Sequence, residues 1–224
     1  MKCFPLAVFL LLAATDAEAA SDCNADRGPG IDWSGCSKER LMLGGEDMEG
    51  ANLAGAFLSG TGFGGANLSG AILNFAEITR VSFKQANLAN SSMEKASGSK
   101  VNFEGANLTG ARLSKIDLSR SNFNGAKLTG ADLSNGEFNR CEFRDADLSG
   151  ANLKLSSLAR SVLTGAKLAG ADFTDAYLYK TDITGADLSG VAGLQQEQLD
   201  SACGDQSTKL PTGLKASPRW PCEE

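Results

Sequence analysis

From Leu43 to Leu188 every fifth residue is a large apolar one. Of the thirty positions in this series, twenty-nine are Leu, Phe, Ile or Met, and Gly98 is the exception. Two residues before each of these centres, seventeen of thirty positions are Ala. The residue just before the centre is usually polar, as in Asn52, Asp132 and Asp187. Two residues after it, fifteen of thirty are Gly, and no insertion breaks the register. A period of five fits neither the 3.6 of a helix nor the 2.0 of a strand. One large and one small inward residue per five describe a chain that turns a corner every five residues. Glycine at the corners agrees, because tight corners call for positive φ or close backbone approach. A chain that turns regularly in one sense coils, and the coils stack into a solenoid.

A second period sets the number of sides. Phe63, Phe83, Phe103, Phe123 and Phe143 are centres twenty residues apart, and the column continues as Leu163 and Ile183. Basic residues follow the same period at Arg80, Lys100, Arg120, Arg140, Arg160 and Lys180. Twenty residues are four five-residue segments, so the expected cross-section has four sides, with the phenylalanines stacked on one inner wall. Residues twenty apart then sit one coil apart, at about 4.8 Å, and the array forms a rod of roughly 36 Å. Gly98 reads as a missing side chain that leaves a hole in the column Leu58, Ile78, Gly98, Leu118, Phe138. Two meanings are open for it: a tolerated repeat defect, or a kink or binding notch.

The motif A-[D/N]-L-x-x recurs as Ala51-Asn52-Leu53, Ala66-Asn67-Leu68, Ala131-Asp132-Leu133, Ala151-Asn152-Leu153 and Ala186-Asp187-Leu188. In this it resembles the pentapeptide-repeat family, over residues 41–190. The resemblance implies an all-β fold, the family's right-handed quadrilateral β-helix; the handedness comes from the resemblance alone. It implies no single function, because the family's members differ in role.

The flanks differ from the array. Lys2, the apolar run Phe4 to Ala14 and Ala17-Glu18-Ala19 read as a secretory signal peptide, residues 1–19, cut after Ala19. The run is too short to span a bilayer, and no later stretch is long enough. The expectation is a periplasmic or secreted protein of the exported bacterial type, a monomer with capped ends. Residues 20–40 form an N-terminal cap and residues 191–224 a C-terminal one, with a short helix from Gly193 to Ala202 that turns Leu194 and Leu199 inward. Export brings Cys23, Cys36, Cys141, Cys203 and Cys222 into an oxidising compartment. Their placement suggests two local disulfides, Cys23–Cys36 and Cys203–Cys222, with Cys141 as a buried, inert thiol.

Composition excludes much chemistry. The chain has no histidine, which removes Ser–His, Cys–His and most metalloprotease mechanisms. No paired Cys-x-x-Cys, phosphate loop or nine-residue calcium repeat is present. The expectation is therefore no catalytic residue, no cofactor and no metal. Outward Asp and Asn read as a solvated face.

The basic column stands out from this background. It is either a solvated edge neutralised by Glu77, Asp117 and Glu137, or a strip for an unknown protein or anionic polymer. Lys95 and Lys115 on the next corner widen it. The leading reading is a non-enzymatic exported scaffold that binds no nucleic acid. The alternative is the family's DNA-mimic class, which binds a topoisomerase with an acidic rod. Residues 41–190 carry 16 acidic and 14 basic side chains, a net of -2, which argues against mimicry.

Overall fold

The structure, a computed structural model, describes residues 21–221. The expected signal peptide and Cys222 lie outside the described residues. Turns recur every five residues from Ile31 through the array, except at the corners after Gly98 and Leu118. Parallel bridges join residues twenty apart, from Asp32↔Asn52 through Asn107↔Lys127 to Val162↔Asp182. The pairing widens into named strands at one place, β1 (Ser97–Ser99) and β2 (Asp117–Ser119), with Gly98 opposite Leu118.

One pentapeptide shows why these residues coil. Ala51 donates its amide to the Met48 carbonyl and closes a corner at 3.1 Å. Asn52 donates to Ile31 of the preceding coil, while Leu53 and Gly55 donate to Ile72 and Asn74 of the next. The remaining amide, that of Ala54, donates to the Asn52 side-chain oxygen at 3.2 Å. All five amides are thus satisfied. Asp and Asn before the centre act as local acceptors for a corner amide, as Asp132 does for Ser134 and Asp147 for Ser149. They do more than solvate a face. On one wall the amides also form a ladder, Asn107 to Asn87 to Asn67 to Asp47, with links of 2.9–3.0 Å.

The lumen is filled by the centres and the small residues before them. Phe63, Phe83, Phe103, Phe123 and Phe143 stack with ring centroids 4.7–5.3 Å apart. Phe138, from the neighbouring column, packs its edge against Phe123 and Phe143 at 6.0 and 5.9 Å. Gly136 makes room for this ring, since a Cβ there would lie 2.5 Å from it.

Gly98 does not leave the hole its missing side chain suggests. The preceding coil closes on it: a Cβ at Gly98 would lie 2.8 Å from the Ile78 carbonyl carbon and 2.9 Å from the Thr79 nitrogen. Glycine is required there by close backbone approach.

The coil geometry also extends past 41–190 at both ends. It begins at Asp32, with Trp33 buried in a centre position under the Lys38 ammonium, 3.9 Å from the ring. After Asp172↔Ala192 it continues as Asp182↔Cys203 and Asp187↔Lys209. Helix α1 (Gln196–Ser201) is inserted between them and is shorter than its apolar pattern suggests. Gln198 pins it by donating to the Phe173 and Ala176 carbonyls, both at 2.8 Å. Leu194 and Leu199 are buried beneath it.

Candidate functional site

Arg80, Lys100, Arg120, Arg140, Arg160 and Lys180 all occupy the last corner of their coil and are all exposed. Each has φ between 52° and 59°. That left-handed conformation costs a non-glycine residue ~1 kcal/mol or more. The corners do not share this equally. The wall that carries the asparagine ladder is bounded mostly by glycines, such as Gly65, Gly70, Gly105 and Gly110. The wall two segments away, which carries Glu77, Ser97, Asp117 and Glu137, is bounded by the basic column on one side. On the other side stand Phe75, Lys95, Lys115, Asn135, Leu155 and Asp175, also at positive φ. Lys95 places its ammonium 5.0 Å from the Phe75 ring. Side chains are therefore concentrated around one wall. Reading the corners by column shows this in the sequence; reading them by pentapeptide does not.

The column is held rigidly. Arg80, Lys100, Arg120, Arg140 and Arg160 donate their amides to the carbonyls of Ser99, Ser119, Asn139, Ala159 and Tyr179, at 2.8–3.0 Å. Lys180 donates to Ser201. Arg40 belongs to the same column and was not part of the expected strip; its side chain lies against Gly60.

The expected neutralisation by Glu77, Asp117 and Glu137 is not made through ion pairs. Among the described residues none of the five ion pairs includes a strip residue. Glu137 instead accepts a hydrogen bond from Asn139 at 2.9 Å. Exposed side chains three residues apart across a corner gain little from pairing and lose rotamer freedom.

Two stacked tyrosines stand at the C-terminal end of the strip. Tyr177 and Tyr179 have centroids 6.1 Å apart and planes at 12°. Tyr179 and Lys180 line a cleft against α1, with Arg219 on its far side.

The cysteines occupy three settings. Cys23 and Cys36 are bridged, with Cα atoms 5.5 Å apart. Cys203 is disulfide-bonded, and its expected partner Cys222 lies outside the described residues. Cys141 is free and buried, and burial pushes its thiol up to about 12.

This thiol belongs to an inward column that the pentapeptide reading overlooks: Thr61, Ser121, Cys141, Ser161 and Thr181. Its members bond to the backbone of the coil before them. Thr181 donates to the Leu158 carbonyl, and the Ser161 oxygen accepts the Cys141 amide. Among the described residues no group of acidic or cysteine side chains could hold a metal, and no helix is long and apolar enough to cross a membrane.

The model of the pentapeptide repeats matches in eight copies, over residues 47–85, 76–114, 116–154 and 156–191. The chain belongs to the pentapeptide-repeat family. The match indicates no catalytic family. Among solved pentapeptide-repeat structures, QnrB1, a plasmid-mediated fluoroquinolone resistance protein, aligns with TM-score 0.59 at 18% identity. That alignment covers 81% of this chain and 91% of QnrB1. HetL, involved in heterocyst differentiation regulation in the cyanobacterium Nostoc sp. strain PCC 7120, aligns with TM-score 0.43 at 24% identity. It covers 82% of this chain and 84% of HetL. No curated protein matches in sequence. The likeness to QnrB1 is one of fold, a right-handed β-helix.

Proposed function

We propose that this chain is an exported, non-enzymatic pentapeptide-repeat rod that presents its basic edge to an anionic partner. Four pentapeptides make each right-handed coil, and α1 with the tail behind it covers the C-terminal end. One observation carries the reading: six cations stand in one line on rigid corners, and none is ion-paired among the described residues. Like charges one coil apart repel, and an anionic partner relieves that repulsion. The partner is a protein or a polymer outside the cytoplasm.

Two experiments test this. N-terminal sequencing of mature protein from periplasm or medium is expected to begin at Ala20; an intact Met1 on cytoplasmic material defeats the export reading. Pull-down from those compartments is expected to recover a partner with the wild type and lose it with Arg120→Glu/Arg140→Glu/Arg160→Glu.

A topoisomerase-binding role is the second reading, supported by the fold likeness to a fluoroquinolone resistance protein. The near-neutral array and its cationic edge oppose it, since a mimic of DNA needs a strongly negative rod. Inhibition of a DNA gyrase supercoiling reaction by the mature protein would favour this second reading over the first.

A further inference from the structure

The basic column is not alone on its edge. The residue before each cation forms a parallel column, interrupted by the apolar Ala159 before Arg160: Thr79, Ser99, Ser119 and Asn139 stand beside Arg80, Lys100, Arg120 and Arg140. These side chains are half-buried, polar and uncharged. Two coils on, the same column reaches Tyr179, stacked with Tyr177 and next to Lys180. One line along the rod therefore carries cations, hydroxyl and amide groups, and a flat aromatic surface at its end. The backbone beneath is pinned from coil to coil by the strip amides, so the line is preorganised.

We infer that this edge binds a linear acidic polysaccharide, a chain of uronate-type sugars lying parallel to the rod axis. The inference rests on the reading of the edge as an anion-binding surface and names its ligand class. Each such sugar ring brings one carboxylate and several hydroxyls. The carboxylates meet the cation column, the hydroxyls meet the Thr79–Asn139 column, and the apolar face of a terminal ring lies on the tyrosines. One charge per ring also approaches the linear density of one cation per coil. Bare polyphosphate has no hydroxyls for the neutral column. A single-stranded nucleic acid calls for aromatics spaced along the groove, whereas the column next to the cations carries its aromatic at Tyr179. Glu77, Asp117 and Glu137 lie further back on the same wall and keep an anionic chain on the corner rather than across the wall.

The test is calorimetric titration of the mature protein with oligogalacturonates of increasing length. Inorganic polyphosphate and neutral maltooligosaccharides serve as comparisons. Oligogalacturonate affinity is expected to rise with length up to the span of the strip and to fall with added salt. Neutral oligosaccharides are expected not to bind. Arg120→Glu/Arg140→Glu/Arg160→Glu is expected to weaken binding at least about tenfold. Tyr177→Ala/Tyr179→Ala is expected to weaken it about fivefold, while leaving any polyphosphate binding unchanged. All five altered side chains point outward, and unchanged circular dichroism melting verifies their fold. If polyphosphate binds as tightly as the uronates and the tyrosine variant has no effect, the polysaccharide inference falls and the anionic-edge reading stands. If no polyanion binds in a strip-dependent way, both fall.

Discussion

The Ser121 amide donates to the Cys141 thiol of the next coil at 3.4 Å, and the thiol in turn donates to the Leu118 carbonyl at 3.2 Å. Most residues at this position close their corner on the backbone, as Ala56 does on Leu53, while the Leu41 amide donates to the Thr61 hydroxyl of the next coil. At Val101 and Ser121, directly after β1 and β2, the corner is open and that turn bond is absent. Side chains from the next coil replace it: the Ser121 oxygen accepts the Val101 amide at 3.1 Å, and Cys141 accepts the Ser121 amide.

Cys141→Ser is therefore expected to keep stability close to wild type, because a hydroxyl can accept and donate in the same way. Cys141→Ala strands a buried amide and carbonyl and is expected to cost ~1–3 kcal/mol. Urea denaturation of the two variants checks this; equal midpoints would show that the thiol only fills space.

Gly98→Ala is expected to destabilise by ~1–3 kcal/mol, because the new Cβ meets the Ile78 and Thr79 backbone rather than empty space. Gly98→Leu is expected to be worse. Thermal melting decides, and a stabilised Leu variant would mean that a cavity exists there after all.

Ser91 is buried and its hydroxyl oxygen makes no hydrogen bond among the described residues. Ala71 and Ala111 are the corresponding residues one coil before and after it. Ser91→Ala is expected to stabilise the rod by ~1 kcal/mol by removing an unsatisfied polar group. A lower denaturation midpoint would contradict this.

Leu128 is fully buried, whereas Thr129 is exposed. Leu128→Asp is expected to cost more than ~3 kcal/mol, because it places an unpaired charge in the lumen, and Thr129→Asp less than ~0.5 kcal/mol. Similar melting temperatures for the two would mean that the register is wrong.

Acid is expected to loosen the C-terminal coils before the central ones; at the other end Asp32 is lowered in the same way by the Ser34 amide and hydroxyl. Asp187 is held down to about 2 by hydrogen bonds from the Ser189 hydroxyl, by Lys209 and by the Ser189 amide. Thr174 lowers Asp172 and Ser207 lowers Asp205 in the same way. Each pKa is lower folded than unfolded, where Asp titrates near ~3.9. Their contribution is full above about pH 4 and is lost as pH falls through the folded values. Hydrogen exchange at pH 5 and at pH 2.5 is expected to show protection falling near Asp172, Asp187 and Asp205 before the central coils. Asp187→Asn, which keeps an acceptor for Ser189 but does not titrate, is expected to reduce the effect. Uniform loss along the rod would refute it.

The five-residue spacing of large centres and the twenty-residue column of phenylalanines were enough, unaided, to describe the coil, its inward residues and the exposed placement of the basic strip. These are consequences of a strict period, because each position repeats one environment and its residue type averages over many coils. Structure decided what depends on a single contact between coils. Gly98 read alone is an absent side chain, and only the position of the Ile78 backbone shows that no space is left. The pairing of Ser121 with Cys141, the turn of Phe138 over Gly136 and the lack of ion pairs on the strip are of the same kind. So is the continuation of the ladder to Asp32 and Lys209, where residues outside the repeat pattern still find coil partners. Hydrogen bonds and van der Waals contacts act over a few ångströms between residues twenty positions apart, and the pentapeptide pattern does not specify that geometry at any one site.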